Sequence, residues 1–171
     1  MNKARAEHYV NEYGKRLYSF CLYCTQNKES AEDLYQETFL VALSKDEICE
    51  DENPKAYLIA IAANLWKNQL RKTAWRKRIA DVSFVEEEEL AQVADEKGSV
   101  EDEVQRRQEE RNVRQNVLLL PDKFRVVLLM HYMEDMSIEE IAVALKIPAG
   151  TVKSRMNKAK SLLKERLEHG K

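Results

Sequence analysis

The sequence predicts an all-α protein built from two small helical domains that are joined by an acidic linker. Apolar residues recur mainly at spacings of three and four, which is the period of helices that bury one face. Only 4 Gly and 3 Pro interrupt the 171 residues, and no alternating strand pattern stands out. Periodic ends around a polar middle favour two domains of about 60 to 80 residues over one globule. We expect the boundaries at residues 1–80, 81–110 and 111–171.

The first domain is predicted to contain three helices. The first runs from near Ala4 to Cys24, with Val10 among the residues that make apolar contacts. The second begins at Ser30, a good N-cap residue for the periodic run that follows. Asn53 and Pro54 start the third, because Asn caps well and Pro is favoured at the first helical position.

The second helix carries polar and acidic side chains on the face opposite its apolar stripe. This face contains Glu32, Asp33, Gln36 and Glu37. Acidic residues near a helix N-terminus are favoured by the helix dipole. The face is therefore either a solvated surface or a docking surface, and its composition alone leaves both interpretations open.

The third helix combines basic, amide and aromatic side chains. Residues 53–80 hold seven basic and no acidic residues. Aromatic rings that stack on bases, interleaved with cations, are typical of surfaces that bind single-stranded nucleic acid. The alternative is that Trp66 and Trp75 belong to a core or an interface. The side chains in question are Asn64, Trp66, Lys67, Asn68, Arg71, Lys72, Trp75, Arg76, Lys77 and Arg78.

The middle segment, residues 81–110, has the composition of a flexible acidic linker. It holds twelve acidic and three basic residues, including the run Glu86 to Glu89. Low hydrophobicity with a high net charge disfavours a packed core. Such a polyanion resembles nucleic acid in charge and is suited to a basic channel, although a solvated tether is the commoner outcome.

The C-terminal domain is predicted to have about four helices, the last two forming a helix-turn-helix. Helices are expected from about Val100 to Leu119 and from Asp122 to Met133, with Tyr132 directed inward. Ser137 and Glu140 then form a capping box for the first helix of the motif. The sequence Lys-Ile-Pro ends that helix before the second one begins.

The second helix of the motif is basic on its outer face, as expected of a helix that lies in a DNA groove. Its inward residues are predicted to be Val152, Met156, Ala159, Leu162, Leu163 and Leu167. Its outward residues are Lys153, Asn157, Lys160 and Lys164.

Composition excludes several other classes of protein. Three Cys residues without an export signal indicate reduced thiols in a cytoplasmic protein, and Cys21 and Cys24 are predicted to be packing residues. Single, scattered His residues indicate no metal site, and no catalytic set or cofactor motif is present. No apolar run approaches the roughly 20 residues of a membrane span. An enzyme is therefore not predicted.

Three motifs, in order, resemble those of a sigma-70 family factor, and the brevity of the chain resembles the extracytoplasmic-function (ECF) group. They cover almost the whole chain. The motifs are Ser30 to Phe39, Asn53 to Leu58 continuing through Ala63 and Asn64, and Leu120-Pro121 followed by the helix-turn-helix that ends at Gly150 to Arg155.

The resemblance implies a function and partners for each surface. The first domain would be sigma region 2 and the second sigma region 4. Asp33, Gln36 and Glu37 would contact the clamp helices of the largest subunit of core RNA polymerase, and region 4 would contact the flap of the second-largest subunit. The minus-10 candidates are Asn64, Trp66, Lys67, Asn68, Arg71 and Lys72. The minus-35 candidates are Thr151, Lys153, Ser154, Arg155, Asn157 and Lys158, of which Thr151 and Arg155 would hold phosphate.

The resemblance also implies an anti-sigma factor, membrane-associated, as a further partner beside promoter DNA. The alternative is a helix-turn-helix regulator that binds duplex DNA alone, with the N-terminal domain serving for dimerisation or sensing. The basic aromatic helix favours the sigma factor, because a protein that reads only duplex DNA has no use for it.

Overall fold

The computed structural model describes residues 3–45, 53–80 and 101–169, and these are almost entirely helical. No strand occurs in these ranges, which confirms the predicted all-α class. The described residues form seven helices, which are α1 (Lys3–Thr25), α2 (Lys28–Ser44), α3 (Pro54–Ala80), α4 (Glu101–Leu118), α5 (Asp122–Tyr132), α6 (Ile138–Leu145) and α7 (Ala149–His169). Residues 81–100 of the predicted linker lie outside the described residues, and the remaining ten begin α4.

Helices α1, α2 and α3 form the first unit around fully buried side chains. Leu17 and Phe20 of α1, Leu34 of α2 and Leu58 of α3 are each at most 1% exposed. Burying side chains of this size contributes about 1.5 to 3 kcal/mol each. Gly14 lets α1 approach α2, because a Cβ at this position would lie 2.8 Å from Tyr35 Oη.

The start of α2 differs from the prediction. The N-cap is Asn27 rather than Ser30, and the Asn27 side chain accepts a hydrogen bond from Ser30 N. Gln26 adopts a positive φ of 56° between α1 and α2, which turns the chain early enough for Asn27 to cap. The start of α3 is as predicted, with Asn53 Oδ1 accepting from Ala56 N at 3.3 Å ahead of Pro54.

Helices α4 to α7 form the second unit. Its core contains Val127, Met130, Ile141 and Val152, which are completely buried. Tyr132 was expected to point inward, but it is 58% exposed and lies beside an apolar groove. Val10 in the first unit was likewise expected to make apolar contacts, but it is 42% exposed, because the adjacent Tyr9 occupies the buried face of α1 and Val10 lies about 100° further round the helix.

The two units pack against each other in the described part of the chain. Helix α3 contacts α6, and α1 contacts α5. Their buried apolar residues form one continuous cluster instead of two separate cores. This arrangement places the middle of α3, where several candidate DNA-binding residues lie, against the second unit.

Candidate nucleic-acid interface

The acidic face of α2, comprising Asp33, Gln36 and Glu37, is exposed to solvent. The opposite side of the helix is buried through Ala31 and Leu34, so the three polar side chains point away from the core. Glu37 Oε2 accepts a weak hydrogen bond at 3.4 Å from the α3 side chain of Gln69. This face therefore has the exposure that a docking surface requires.

Leu40 is a residue of this surface that sequence reasoning missed. It lies three and four residues after Glu37 and Gln36, and it is 66% exposed. It adds an exposed apolar side chain at the C-terminal edge of the polar face, and interfaces combine apolar contacts with a polar rim. Its position could have been found from helical spacing, because it falls between Gln36 and Glu37 on the helical projection.

The C-terminal half of α3 projects into solvent as a basic rod. Every residue from 71 to 79 is exposed, so Arg71 and Lys72 are available for contact. Asn68, one turn earlier, is also exposed. Trp75 is 64% exposed, which makes its ring accessible to an unstacked base and rules out a core role within this structure.

The preceding turn of α3 is half-buried against the second unit. Asn64 Nδ2 donates to Ala60 O at 3.1 Å and also to the α6 carbonyl of Ala144. Lys67 Nζ donates to Leu145 O at 2.6 Å. These two candidate DNA-binding side chains therefore already have hydrogen-bond acceptors within the protein.

Burial lowers the pKa of the Lys67 ammonium, and neighbouring cations on α3 and α7 lower it further. The Trp66 indole Nε1 is buried and has no hydrogen-bond partner among the described residues. The core-or-interface alternative therefore fits Trp66, whereas for Trp75 the structure excludes only the core position.

The helix-turn-helix is assembled as the sequence predicts. Ser137 and Glu140 form the capping box, with Glu140 N donating to Ser137 Oγ at 3.1 Å and Ser137 N donating to Glu140 Oε2 at 2.7 Å. Helix α6 ends where Lys146 takes a positive φ of 56°. Val152 and Met156 of α7 pack inward, which aims the other faces of α7 at solvent.

The candidate DNA-binding residues on α7 follow this orientation. Thr151 and Arg155 are half-buried, in keeping with a phosphate-holding role close to the protein surface. The four others are exposed: Lys153, Ser154, Asn157 and Lys158. A shallow depression of about 490 Å³ is lined by Thr151, Ser154, Arg155 and Lys158.

Lys123 also lines this depression and was missed by sequence reasoning. It belongs to α5, whose packing against α7 could not be deduced from spacing within either helix. A charge next to the first turn of the recognition helix is suited to phosphate contact.

The packing of the two units also creates a narrower basic cleft of about 210 Å³. Lys67 and Arg71 of α3 line one side, and Lys123 and Arg155 of the second unit line the other. Members of the minus-10 and minus-35 candidate sets thus face each other. This proximity was not expected, since the two sets were assigned to separate domains.

An apolar groove of about 460 Å³ lies on the other side of the second unit, between α4, α5 and α7. Val117, Leu129, Tyr132 and Leu163 are among its lining residues. Lys160 Nζ at its edge lies 5.7 Å from the centroid of the Tyr132 ring. The groove has the shape and composition of a site for an apolar helix face.

Cys21 and Cys24 are free thiols in the core of the first unit, as predicted. Burial raises the pKa of Cys21 to about 12 and raises the pKa of Cys24 further above its ordinary range. Such thiols are poor nucleophiles and poor metal ligands. Among the described residues, no group of three or more His, Cys, Asp or Glu side chains is placed to hold a metal ion.

None of the described helices is both long and apolar enough to cross a membrane.

Comparison with known families gives two matches that follow one another along the chain. A family model described as Sigma-70 region 2 matches residues 9–76. A second model, described as Sigma-70, region 4, matches residues 111–163.

Similar proteins of known identity span most of the chain. The ECF RNA polymerase sigma factor SigW of Bacillus subtilis (strain 168) is 30% identical over 161 residues, which cover 92% of this chain and 86% of that protein. The ECF RNA polymerase sigma factor EcfG of Rhodopseudomonas palustris (strain TIE-1) is 30% identical over 148 residues, covering 86% and 76% of the two chains.

Two solved structures share the fold. The sigma factor RpoE in complex with the anti-sigma factor NepR from Bartonella quintana has a TM-score of 0.74 at 24% identity, covering 95% of this chain and 96% of that one. CnrH in complex with the cytosolic domain of CnrY has a TM-score of 0.64 at 19% identity, covering 99% and 92%.

Proposed function

Because this chain belongs to the ECF group of the sigma-70 family, we propose that it reads the minus-10 and minus-35 promoter elements with separate basic surfaces on α3 and α7 and helps to open the DNA. As a member of this group it is an RNA polymerase sigma factor that directs transcription initiation, and it is not an enzyme. The domain assignment that we propose is region 2 for residues 1–80, a linker for 81–110 and region 4 for 111–171.

The observation that carries the proposal is the difference in chemistry between the two basic surfaces. The α3 rod presents a ring, Trp75, among cations and amides, which is what unstacked bases require. The α7 surface presents short polar and basic side chains on the second helix of the helix-turn-helix, whose first helix is capped by Ser137. Such side chains can form hydrogen bonds with the edges of duplex bases. A sigma factor needs both chemistries, whereas a regulator that binds only duplex DNA needs the second.

The residues proposed for the two elements are those that the resemblance implies. Asn64, Trp66, Lys67, Asn68, Arg71 and Lys72 would contact the non-template strand of the minus-10 element. Trp75 is added to this set because its exposed ring is accessible to an unstacked base. Thr151, Lys153, Ser154, Arg155, Asn157 and Lys158 would contact the minus-35 element. Lys123 is added to the second set as a phosphate contact, on the strength of its position beside Arg155 and Lys158.

Core RNA polymerase is proposed to bind at two places. The acidic face of α2 would meet the clamp helices of the largest subunit, with Leu40 supplying apolar contact within that face. The apolar groove between α4, α5 and α7 would receive the flap of the second-largest subunit. Its nearly continuous apolar lining supports an occupant that presents a hydrophobic helix.

An anti-sigma factor is proposed as the restraining partner, membrane-associated, with the sigma factor itself cytoplasmic. The support for an anti-sigma partner is that the structural relative RpoE was solved in complex with the anti-sigma factor NepR. The support for a membrane-associated partner is that CnrH was solved in complex with the cytosolic domain of CnrY.

The testing experiment combines purified protein with bacterial core RNA polymerase and measures co-elution and specific initiation from a promoter library. The double variant Asp33→Arg with Glu37→Arg reverses the charge of the acidic face. A matched control is Glu7→Arg with Glu12→Arg, which makes the same charge change at exposed positions of α1. Specific initiation that the first pair abolishes and the control retains supports the proposal.

Two outcomes would contradict it. Specific binding to duplex DNA without any association with polymerase would favour a free-standing regulator. Initiation that survives Asp33→Arg with Glu37→Arg would move the polymerase contact away from the acidic face of α2.

A further inference from the structure

The basic cleft between the two units brings four cations together. Lys67 and Arg71 of α3 line one wall, and Lys123 of α5 and Arg155 of α7 line the other. The cluster therefore exists only because three helices from two units meet here. Like charges at short range repel, and the repulsion is stronger where water is partly excluded. An anion between the two walls would replace this repulsion by attraction.

The carboxylate in the cleft lining does not supply that anion. Asp122 pairs with the guanidinium of Arg125, which is 3% exposed and does not line the cleft. The negative charge of Asp122 is thus compensated inside the protein. In the part of the chain that the structure describes, the four lining cations form no ion pair with a carboxylate. The cleft therefore keeps an uncompensated positive charge.

Most hydrogen-bond donors of the cleft remain unused. Lys67 Nζ donates to Leu145 O at 2.6 Å, which leaves two of its three N–H groups. Each arginine carries five N–H groups, and neither Arg71 nor Arg155 donates to another of the described residues. A planar guanidinium group matches an oxyanion that offers two oxygens at once. The donors of the cleft are therefore suited to phosphate oxygens.

The electrostatic setting of Lys67 agrees with this geometry. Burial lowers the pKa of its ammonium group, and Arg71, Arg155 and Lys146 lower the pKa further. Cations of both units therefore act on the same ammonium group. An anion bound in the cleft would oppose their effect.

The size of the cleft restricts the anion that it can hold. Its volume of about 210 Å³ lies below the roughly 300 to 1,000 Å³ of sites for drug-sized ligands. A nucleic-acid strand carries a sugar on both sides of each phosphate, and its charges are spread along the backbone. A diphosphate group is compact and concentrates its charge on two adjacent phosphate centres. It therefore fits a narrow cleft with two cationic walls better than a nucleic-acid strand does.

We propose that the basic cleft is a binding site for a small phosphate anion of the diphosphate class, either inorganic diphosphate or the diphosphate group of a nucleotide. Lys67 and Arg71 would hold one phosphate group, and Lys123 and Arg155 would hold the other. The bound anion would link the two units, because each unit supplies half of the site. This binding goes beyond promoter recognition, and it is measured directly, without DNA or polymerase.

The test titrates the full chain with inorganic diphosphate in an isothermal titration calorimeter, at about 0.15 M salt. Salt at this level screens exposed charges beyond about 8 Å, so diffuse attraction to the basic surfaces contributes little. Sulfate is the comparison anion, because it is an oxyanion with a single centre. Small-angle X-ray scattering and circular dichroism check that each variant keeps the radius of gyration and the helix content of the wild type.

Two substitutions, Arg71→Gln and Arg155→Gln, remove one cation from each wall. Arg71 is exposed, so its replacement is not expected to affect folding. Arg76→Gln is the matched control on α3, because Arg76 is exposed and does not line the cleft. Arg155 also lines the outer depression beside Thr151. Lys158→Gln is therefore the second control, because Lys158 lines that depression and not the cleft.

Wild-type protein is expected to bind about one diphosphate per chain, with an affinity at least about tenfold higher than that for sulfate. Arg71→Gln and Arg155→Gln should each weaken diphosphate binding about 10- to 100-fold, the effect of losing one hydrogen bond to a charged group. Both control variants should bind as the wild type does. Diphosphate should raise the melting temperature of the wild type and the controls more than that of the two cleft variants, because a ligand that binds only the folded protein stabilises it.

Adenosine diphosphate distinguishes the two sources of the diphosphate group. If it binds at least as tightly as inorganic diphosphate and is equally sensitive to Arg71→Gln, the site extends to nucleotides. If it binds much more weakly, the site is restricted to the free anion.

Three results would overturn the inference. One is a dissociation constant above about 1 mM for diphosphate and the wild type. A random-sequence single strand of about 12 nucleotides whose binding depended on Arg71 and Arg155 would then assign the cleft to a nucleic-acid backbone. Another is equal weakening by Arg155→Gln and Lys158→Gln, which would place the anion in the outer depression. The third is equal weakening by Arg71→Gln and Arg76→Gln, which would show attraction to the α3 rod as a whole.

Discussion

Arg125 is a buried cation that connects three segments of the structure. The residue is 3% exposed. Its Nη1 donates to Leu120 O at 2.7 Å, and its Nη2 donates to Cys24 O at 2.8 Å and pairs with Asp122. The guanidinium thus contacts the residues just after α4, the end of α1 and the first turn of α5, and it connects the two units.

The substitution Arg125→Met keeps the length of the side chain and removes every donor. The carbonyls of Leu120 and Cys24 lie in residues that are 2% and 0% exposed, so both would lose a partner in a buried setting. An unsatisfied buried polar group costs about 1 to 3 kcal/mol, so two cost about 2 to 6 kcal/mol. Removing a buried charge recovers part of its desolvation penalty, which places the expected loss near 2 to 4 kcal/mol.

The assay is urea-induced unfolding followed by far-ultraviolet circular dichroism. Lys123→Met on the same helix is the control, since it makes the same chemical change at an exposed position. Lys123 lies 5.0 Å from the centroid of the Phe124 ring, a contact worth no more than about 1 kcal/mol at an exposed site. Equal unfolding free energies for the two variants, within about 0.5 kcal/mol, would refute the assigned role of Arg125.

Four further outcomes are expected. Lys158→Ala should weaken minus-35 binding at one base position by about 1 to 3 kcal/mol in a competition series, whereas an equal loss at every sequence would assign it to phosphate. Ser137→Ala removes the capping box and should cost about 1 kcal/mol, which lowers the melting temperature of a 171-residue chain with one continuous core by about 2 to 4 °C. An unchanged melting temperature would contradict the role of the cap. Burial raises the pKa of the Cys21 thiol to about 12 from an ordinary 9.0, which lowers its thiolate fraction about a thousandfold. In a Cys49→Ser background, this thiol should therefore react with Ellman's reagent about a thousandfold more slowly in native than in urea-unfolded protein. Similar rates in the two states would show that α1 is not packed. Burial raises the pKa of Glu134 in the packed form, so packing is favoured below that raised pKa and is weakened as the pH rises through it. The charged groups that face it are Arg16, Lys55 and Asp135. Scattering between pH 5 and 8 should show a wild-type radius of gyration that grows with pH, and a Glu134→Gln variant that grows equally would exclude this carboxylate as the cause.

The local features of the fold were predictable because they depend on neighbours in sequence. The capping box at Ser137 and the Asn53-Pro54 start of α3 each involve groups within three residues of one another. The start of α2 was misplaced because two competent capping residues, Asn27 and Ser30, lie close together. The turn at Gln26 decides between them, and its positive φ leaves no signal in the sequence.

The contacts between the two units were not predictable from the chain. Asn64 pairs with a residue 80 positions away, and Lys67 with one 78 positions away. Their amide and ammonium groups on α3 predicted contact with nucleic acid, and the same donors also suit the carbonyls at a helix end. The burial of Glu134 between the two units was still harder to predict, because an acidic residue after a helix is ordinarily solvated.

The order of binding follows from which surfaces the packed form covers. The acidic face of α2 remains exposed, with Asp33, Gln36 and Glu37 all open to solvent. The α3 donors Asn64 and Lys67 are covered. Under the proposed function, the α2 face would be open to polymerase in the packed arrangement, whereas Asn64 and Lys67 would have to leave the α6 carbonyls before giving these donors to DNA.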